Sequence, residues 1–318
     1  MTYRIMRRFG FTMDPEVAHA WALRAARIAR PLGAVRDRVG RHPVEAFGLR
    51  FRNPVGLAAG YDKDGTTWRA LAALGFGHVE VGTVTPRPQR GNDRPRMTRL
   101  VADRALVNRM GFPSDGATAV ARRLRGRRPR GVILGVSIGP NADTPPERRV
   151  DDYLDLVASF EPLADYLALN VSSPNTAGLR DLQGDPLESL IGAVRRAAAT
   201  VPVLVKLSPD LDDVASVVAA AERGGAHGLI VGNTTTTRPS VGHSGPGGLS
   251  GAPLGVLAMR RLTAAVAATT LPIVACGGIM SADDAVARLD AGAVLVQLYT
   301  GLVYEGPGLV RRILNRLD

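Results

Sequence analysis

Short apolar runs recur from residue 53 onward and alternate with stretches that have the spacing of amphipathic helices. The runs that predict strands cover residues 54–59, 78–84, 132–138, 166–171, 202–207, 228–232, 272–276 and 293–298. The stretches that predict helices include residues 66–74, 151–160, 186–199, 212–223, 254–267 and 281–290. Apolar strands that alternate with helices are typical of a parallel sheet covered by helices. The sequence therefore predicts an α/β protein built on a (β/α)8 TIM barrel.

The segment before the barrel predicts an N-terminal helical extension. Asp14 can cap a helix whose first turn accommodates Pro15, and Pro31 and Gly33 end it. One face of this helix carries four apolar residues, Val17, Trp21, Ala25 and Ile28. Residues 34–39 predict a second short helix.

Between this extension and the first barrel strand, residues 45–53 predict a small hairpin across the barrel floor. The chain then divides into two domains. Residues 1–41 form an amphipathic helical cap, and residues 42–318 form the barrel.

The charge of the chain is concentrated in the cap. The 318 residues have a net charge of +11, and residues 1–41 hold nine arginines against three acidic residues, a net +6. A basic amphipathic helix suits an anionic membrane surface. Aromatic residues make up only 5% of the chain and no nucleic-acid-binding signature is present, so we expect a membrane and not a nucleic acid as partner. The alternative is a cap whose apolar face packs on its own barrel.

Several classes of site are excluded by composition. Cys276 is the only cysteine, which excludes a disulfide framework and a cysteine-based metal site. The five histidines have no metal-ligand spacing, so we expect no metal. The sequence has neither an apolar run of about 18 residues, which a transmembrane helix requires, nor the pattern of a cleavable signal peptide.

In a TIM barrel the active site lies at the carboxyl ends of the strands. The fourth predicted strand ends there in residues 170–176 (NVSSPNT), which offer two carboxamides and two hydroxyls. Carboxamides carry a donor and an acceptor together and suit a planar, amide-rich ligand, although such a stretch is more often a simple turn. Lys63 and Lys206 are the only lysines beside 38 arginines, and both follow predicted strands. A compact ammonium group fits beside a ring edge where a guanidinium does not.

Two glycine-rich turns, residues 247–251 and 277–281, each precede a predicted helix. Loops of this kind after the last barrel strands often hold a phosphate group. Together they predict a phosphorylated cofactor. No Rossmann fingerprint is present, so we do not expect a tightly bound nicotinamide dinucleotide.

Long motifs in the chain resemble those of quinone-linked, membrane-associated dihydroorotate dehydrogenases. The similarity runs from residues 14–19 to near the C-terminus. It is carried by residues 53–65 (NPVGLAAGYDKDG), 81–89 (VGTVTPRPQ), 107–112 (VNRMGF), 170–180 (NVSSPNTAGLR), 205–210 (VKLSPD), 248–251 (GLSG) and 296–300 (VQLYT). The soluble branch of this family has cysteine where Ser173 stands, so Ser173 favours the quinone-linked branch.

The resemblance implies a bound FMN and the oxidation of dihydroorotate to orotate in pyrimidine biosynthesis, with a membrane quinone as electron acceptor. It implies that Ser173 is the catalytic base. The substrate-binding residues that it implies are Lys63, Asn108, Arg109, Met110, Gly111, Phe112, Asn170, Asn175, Asn233 and Thr234. The FMN-binding residues that it implies are Ala59, Gly60, Lys63, Thr83, Ser137, Asn170, Lys206, Gly232, Gly251, Gly278, Tyr299 and Thr300. Residues His19, Arg99 and Tyr299 would border the quinone. The protein would lie on the cytoplasmic face of the cell membrane.

Some positions depart from the family pattern. Ser137 stands where asparagine is usual, and Pro113, Pro140 and Gly232 also differ from the usual residues. The stretch over residues 233–247 is shorter than the usual lid. Two alternatives therefore stay open beside dihydroorotate oxidation: a related FMN oxidoreductase acting on another cyclic amide, and a non-catalytic membrane-bound flavoprotein. The sequence leaves the quinone type, the oligomeric state and the rates undetermined.

Overall fold

The computed structural model describes residues 2–29, 42–175, 178–183, 186–238, 241–242 and 245–318. The described part of the cap, residues 2–29, contains two helices, α1 (Thr2–Thr12) and α2 (Pro15–Ala29). A hairpin of antiparallel strands follows, β1 (Val44–Ala46) and β2 (Leu49–Phe51), where the sequence predicts one. The predicted helix over residues 34–39 and the predicted domain boundary fall outside the described residues.

The remaining elements alternate between strands and helices. The strands are β3 (Val55–Leu57), β4 (His78–Val84), β5 (Met97–Leu100), β6 (Ala105–Asn108), β7 (Ile133–Ile138), β8 (Tyr166–Asn170), β9 (Val203–Leu207), β10 (Gly228–Val231), β11 (Gly248–Gly251), β12 (Ile273–Cys276) and β13 (Leu295–Leu298). The helices are α3 (Trp68–Ala72), α4 (Ala117–Leu124), α5 (Arg149–Phe160), α6 (Pro186–Ala197), α7 (Val214–Arg223), α8 (Gly255–Ala268), α9 (Ala282–Asp290), α10 (Thr300–Glu305) and α11 (Gly308–Leu317). Short 3-10 turns cover Pro146–Arg148, Arg180–Gln183 and Ala252–Leu254.

A closed barrel is formed by β3, β4, β7, β8, β9, β10, β12 and β13, in that order around the ring. All neighbouring strands in it are parallel. The predicted TIM barrel is therefore confirmed, and each of the eight predicted strands corresponds to one barrel strand. The strands are buried on both faces, as parallel strands covered by helices require.

The third helix is shorter than predicted. It begins at Trp68 and not at residue 66, because the Asp62 carboxylate accepts hydrogen bonds from the backbone N–H groups of Thr66 (2.9 Å) and Thr67 (2.7 Å) and holds them in a turn. It ends before Gly75, whose φ of 108° is unfavourable for residues with a side chain.

Three strands outside the barrel were not predicted. Strands β5, β6 and β11 form an antiparallel sheet in the order β11-β6-β5. Gly248 of β11 pairs with Asn108 of β6, about 140 residues earlier in the chain. Such a distant pairing leaves no periodic signal in the sequence, which explains why these strands were missed.

The helix α1 was also missed, although it is tied firmly to the barrel domain. The Tyr3 hydroxyl donates to the Val303 carbonyl at 2.7 Å, and Arg7 donates to the Tyr304 carbonyl at 2.5 Å. The second helix begins as predicted, since Asp14 Oδ1 accepts from the backbone N–H of Glu16 and of Val17. Glu16 then forms two 3.0 Å hydrogen bonds with Arg96, which precedes β5.

The cap does not bury its apolar face against the barrel. Phe9, Trp21 and Ile28 are 76%, 58% and 85% exposed, whereas Leu23 packs against the barrel core. The exposed apolar side chains of the two helices form what we call the cap face: Ile5, Met6, Phe9, Met13, Val17, Trp21 and Ile28. None of the described helices is long and apolar enough to cross a membrane.

The floor of the barrel is closed by the hairpin. Phe51 is fully buried and its ring lies edge-on to His78, with 5.4 Å between the ring centroids. Burial lowers the pKa of His78 to about 3. An imidazole in this environment is therefore neutral in the folded protein at any pH above the low acid range.

This histidine should make the fold acid-sensitive. Its folded pKa lies below its unfolded value, so the unfolded chain binds more protons below pH 6.5, and stability falls as the pH drops from 6.5 toward 3. The free energy of unfolding should decrease by about 2 kcal/mol from His78 alone between pH 6.5 and pH 5. Urea unfolding at both pH values measures it. The free energy of unfolding of a His78→Gln variant should depend less on pH. An unchanged pH dependence would contradict the lowered pKa of His78.

Candidate active site

A large cavity opens at the carboxyl end of the barrel. Its empty volume is about 1110 Å³ including the open mouth. Seven of the eight barrel strands contribute lining residues from their ends or the loops that follow, the exception being β7. The predicted site residues that line it are Ala59, Gly60, Lys63, Thr83, Asn108, Met110, Gly111, Phe112, Asn170, Ser173, Asn175, Lys206, Asn233, Thr234, Gly251, Gly278, Tyr299 and Thr300.

Two predicted carboxamides meet on one wall of the cavity. Asn175 Nδ2 donates to Asn108 Oδ1 at 3.2 Å, which joins the loop after β8 to the end of β6. Asn108 belongs to the unpredicted outer sheet, so that sheet brings part of the site into place. An amide pair of this kind can bind a second amide group through both a donor and an acceptor.

The other carboxamides belong to a continuous hydrogen-bonded chain. Asn233 Nδ2 donates to Ser172 Oγ at 2.8 Å, and Asn170 Oδ1 lies 3.3 Å from the same hydroxyl. Asn170 Nδ2 donates to Thr83 Oγ1 at 2.7 Å, and Thr83 Oγ1 lies 3.0 Å from Ser137 Oγ. Because each member fixes the next, the polar groups on this side of the cavity are held in defined orientations.

Ser173 lies on the same loop and is 6% exposed. Its Oγ accepts a hydrogen bond from the backbone N–H of Asn175 at 3.2 Å. The hydroxyl therefore lines the cavity in a fixed turn, within the amide-rich wall. A group in this position can exchange a proton with a ligand bound beside it.

Both lysines are buried at the cavity. Lys63 Nζ donates to the Gly60 carbonyl at 2.7 Å, and burial lowers the pKa of Lys63. Lys206 is 4% exposed, and its Nζ lies 3.6 Å from Glu80 Oε1 inside the barrel. Burial acts to lower the pKa of Lys206, but Cys276 and Glu80 raise it, and the net shift is upward. The two ammonium groups are thus in different electrostatic environments.

The two predicted glycine-rich turns reach the cavity together. Gly251 and Gly278 both line it, and Thr300 Oγ1 donates to Ser250 Oγ at 2.8 Å beside them. A Cβ atom at Gly278 would lie 2.4 Å from the Gly255 Cα atom at the start of α8, so only glycine fits there. The second turn precedes α9, which Ser281 caps through the Asp284 N–H.

Three predicted contact residues lie away from the cavity surface. The Arg109 side chain turns outward and donates to the Pro95 carbonyl at 2.9 Å, so it cannot reach a ligand in the cavity. Ser137 is fully buried behind Thr83. Gly232 packs against the Cys276 carbonyl, where a Cβ atom would approach to 1.9 Å. The last two support lining residues without lining the cavity themselves.

Of the three residues predicted for the quinone, His19 and Tyr299 are linked through Tyr61 between the cap and the barrel. His19 Nε2 lies 2.7 Å from the Tyr61 carbonyl, and its ring lies edge-on to Tyr61. The ring of Tyr61 in turn contacts Tyr299, with 5.5 Å between centroids. Burial, followed by the charge of Lys63, lowers the pKa of His19 to about 4. Tyr299 therefore belongs both to the cavity and to this aromatic path.

Arg99, the third residue predicted for the quinone, contacts the cap at the end of α1. Its guanidinium donates to the Met13 carbonyl at 2.7 Å and lies 4.9 Å from the centroid of the Phe11 ring. Phe11 contacts Tyr304 edge-on, with 5.3 Å between centroids. Phe11 and Tyr299 both pack against the buried cluster of Leu106, Met280 and Tyr304, so aromatic side chains lie between the cap and Tyr299.

Thr176 of the predicted motif lies outside the described residues. The stretch over residues 233–247, which is shorter than the usual lid, is described except for residues 239–240 and 243–244. At its base, Arg180 bridges Asp210 at 2.8 Å and donates to the Thr234 carbonyl at 3.2 Å. Arg238 donates to the Gly247 carbonyl at 2.6 Å. These contacts fix the start and the end of the stretch over residues 233–247.

Several lining residues were not predicted. Gln297 and Cys276 lie within barrel strands and face the cavity, and Met97 and Leu106 come from the outer sheet. Gln297 Oε1 is buried and has no hydrogen-bond partner among the described residues, while its Nε2 donates to Glu80 Oε2 at 2.8 Å. Gln297 could have been predicted from its polarity inside an apolar strand, before the strand end.

Comparison with known proteins agrees with this geometry. The sequence profile described as dihydroorotate dehydrogenase matches residues 42–318. The dihydroorotate dehydrogenase (quinone) of Acidithiobacillus ferrooxidans is 46% identical and the alignment covers 100% of this chain and 94% of that protein. The protein of the same description from Rhodospirillum rubrum is 49% identical, with 95% and 85% covered.

Solved structures give the same result. The crystal structure of the dihydroorotate dehydrogenase (DHODH) of Eimeria tenella in complex with ferulenol has a TM-score of 0.90 at 37% identity, covering 96% of this chain and 90% of that one. The ligand-free structure from the same organism has a TM-score of 0.88 at 38% identity, with 96% and 94% covered. Sequence and fold agree along nearly the whole chain, which therefore belongs to the dihydroorotate dehydrogenase family.

Proposed function

We propose that this chain oxidises (S)-dihydroorotate to orotate with FMN as its cofactor and a quinone as electron acceptor, within pyrimidine biosynthesis. The observation that carries the proposal is the convergence of Ser173, the Asn108–Asn175 pair and Lys206 on one cavity of the barrel. An amide-rich ring needs paired donors and acceptors, a proton acceptor and a neighbouring cation, and this cavity supplies each of them.

The cavity fits a flavin with a phosphate tail. Lys206 and the unpartnered Gln297 Oε1 offer polar groups to a ring, and the glycine turns at Gly251 and Gly278 offer backbone to a phosphate. We propose that FMN is held by Ala59, Gly60, Lys63, Thr83, Asn170, Lys206, Gly251, Gly278, Tyr299 and Thr300. When bound, FMN accepts a hydride from the substrate and returns the electrons to a quinone. Ser137 and Gly232 would act by supporting Thr83 and the strand end behind the cofactor.

We propose that the substrate lies against the carboxamides. Asn108 and Asn175 would bind one amide edge, and Asn233 with Thr234 another polar edge of the ring. Lys63 would stabilise negative charge on the substrate. Met110, Gly111 and Phe112 would cover it through their backbone and apolar surface, whereas Arg109 would contribute only its backbone position.

We propose that Ser173 removes the proton at C5 of dihydroorotate. The high pKa of a serine hydroxyl keeps it protonated at neutral pH, and the neutral hydroxyl is a weak base. The hydroxyl must therefore give its own proton to water or to a neighbouring hydroxyl as it takes the proton from C5. Its fixed position in the turn after β8 keeps the oxygen at one place in the cavity. The loop after β8 thereby contributes both the base, Ser173, and the amide of Asn175, which orients the substrate ring.

We propose that the cap admits the quinone and rests on the cytoplasmic face of the cell membrane. The cap face exposes large apolar side chains, and Arg4, Arg8, Arg24 and Arg27 are exposed on the same two helices. Apolar surface together with basic charge is what an interfacial helix needs to bind anionic lipid. His19, Arg99 and Tyr299 would border the quinone on its way to the cavity.

The proposed function is tested by turnover of the purified protein. Dihydroorotate with a quinone should yield orotate, whereas NAD or fumarate in place of the quinone should support little turnover. Other cyclic amides such as dihydrouracil should react much more slowly than dihydroorotate. Preferred turnover of another amide would replace the substrate in the proposal, and a flavin that no amide reduces would contradict it.

The flavin contact is tested by Lys206→Ala. Loss of a charged hydrogen-bond donor beside the ring should weaken FMN binding about tenfold to a hundredfold. Flavin content after dialysis and the rate of flavin reduction measure the effect. Because Glu80 is left without its partner, a Lys206→Ala/Glu80→Gln double variant separates lost binding from lost stability. Arg122→Ala, at an exposed position on α4, should be unchanged.

A further inference from the structure

Glu80 is a buried carboxylate to which the mechanism above gives no role. Its side chain lies inside the barrel and is 0% exposed. Its Oε2 accepts hydrogen bonds from the Tyr166 hydroxyl at 2.9 Å and from Gln297 Nε2 at 2.8 Å. Its Oε1 accepts no hydrogen bond from the part of the chain that the structure describes, and it lies 3.6 Å from Lys206 Nζ. Burial of a carboxylate is unfavourable unless it is paired, so this arrangement calls for a physical reason.

The other described titratable groups near Glu80, Lys206 and Gln297 are neutral at neutral pH. Burial raises the pKa of the Cys276 thiol on β12 and raises that of Tyr166 on β8 well above its usual value. Burial lowers the pKa of His78 on β4 to about 3. Cys276 and Glu80 both raise the pKa of Lys206, but at neutral pH the buried thiol is protonated, so Glu80 supplies the negative charge there. Without it, a buried lysine tends to lose its proton, because desolvation disfavours the ammonium form.

The pair of Glu80 and Lys206 extends from the barrel interior to the cavity. Lys206 and Gln297 line the cavity, whereas Glu80 does not line it and contacts both of them from inside the barrel. The Glu80 carboxylate is oriented by two donors on two different strands, β8 and β13. A charge held by fixed partners requires no reorganisation when negative charge develops nearby, which is the condition for effective electrostatic stabilisation.

We propose that Glu80 is a positioning residue that keeps Lys206 protonated at the cavity before the flavin is reduced. The inference rests on the proposed function, in which the flavin ring lies against Lys206. Glu80 then acts through Lys206 and touches neither substrate nor cofactor. Its effect is to make the stabilising cation permanent, so that reduction of the flavin does not have to recruit a proton to the lysine.

The test is the pH dependence of the flavin midpoint potential, measured with dithionite so that no turnover is needed. Two-electron reduction of FMN to its anionic reduced form takes up one proton, so the wild-type potential should fall by about 30 mV per pH unit. In Glu80→Gln, Lys206 should be neutral beside oxidised flavin and take up a second proton on reduction. The slope should then approach about 59 mV per pH unit near neutral pH.

Three matched variants identify the group that binds the second proton. Glu80→Asp keeps a carboxylate and should restore a slope of about 30 mV per pH unit. Tyr166→Phe removes one donor to Glu80 but leaves both charges, and should also keep the wild-type slope. Lys206→Gln/Glu80→Gln removes both charges, so its slope should return to the wild-type value although its potential changes.

Each result decides the inference. A Glu80→Gln slope equal to that of the wild type, with a raised potential, would mean that Lys206 keeps its proton unaided and would overturn it. Should Glu80→Gln not fold, the wild-type slope itself decides, because about 59 mV per pH unit would show that the cation is not permanent. A wild-type protein that binds no flavin overturns the proposed function and this inference with it.

Discussion

Ser173→Ala is expected to lower turnover about a hundredfold or more while the protein still binds FMN and orotate. The substitution removes one oxygen atom from the cavity wall. The backbone N–H of Asn175 loses its acceptor, but the side-chain hydrogen bond between Asn175 and Asn108 does not involve the serine and should hold the amide pair in place. Stopped-flow reduction of the flavin by dihydroorotate measures proton removal directly. Orotate binding, followed by the change in flavin absorbance, should change little.

Ser173→Cys is the matched control for this prediction. A thiol has a lower pKa than a hydroxyl and can accept the same proton, so this variant should retain more activity than the alanine variant. Flavin reduction should be faster in the wild type and in Ser173→Cys than in Ser173→Ala. Normal reduction in Ser173→Ala would reject this residue as the base.

Loss of the exposed cap face should abolish binding to anionic vesicles. A Phe9→Ser/Trp21→Ser/Ile28→Ser variant removes three large side chains that are exposed in the fold. Each contributes about 1.5–3 kcal/mol when buried, so partitioning should fall about a thousandfold or more. The same variant should use long-chain quinones poorly, while dihydroorotate should still reduce its flavin, since the cavity residues all lie after residue 52. Vesicle co-sedimentation measures the binding.

Two further variants sharpen this test. Val256→Ser, at a valine on α8 that is 67% exposed, removes an apolar side chain from outside the cap and should bind vesicles normally. Deletion of residues 1–41 should also abolish salt-sensitive vesicle binding, provided that the barrel stays folded without the Glu16–Arg96 contacts. A folded deletion variant that still binds vesicles and uses long-chain quinone normally would reduce the cap to a structural element.

The barrel could be predicted because its strands are continuous apolar runs between helical stretches. The outer sheet could not, since β5 is only partly buried along its length and β11 pairs with a strand about 140 residues away. The helix α1 could have been predicted, since Ile5, Met6 and Phe9 recur on one face at helical spacing.

The site could be predicted to the level of strand ends but not of single side chains. Asn108 ends β6 and lines the cavity, whereas Arg109, the next residue, turns away to Pro95, as successive residues of an extended chain do. Polar residues inside the barrel were missed although the sequence does mark them. His78 and Glu80 alternate along β4, and that period of two was visible in the sequence as polar positions within an apolar run.

The central claim is that this cavity oxidises dihydroorotate with a bound flavin, and anaerobic titration of the purified protein tests it most directly. The protein should be yellow, and about one equivalent of dihydroorotate per flavin should bleach it with formation of orotate, because a two-electron oxidation matches a two-electron cofactor. Added quinone should then restore the colour. A flavin-loaded wild-type protein that stays yellow with excess dihydroorotate, yet is bleached by dithionite, would contradict the account.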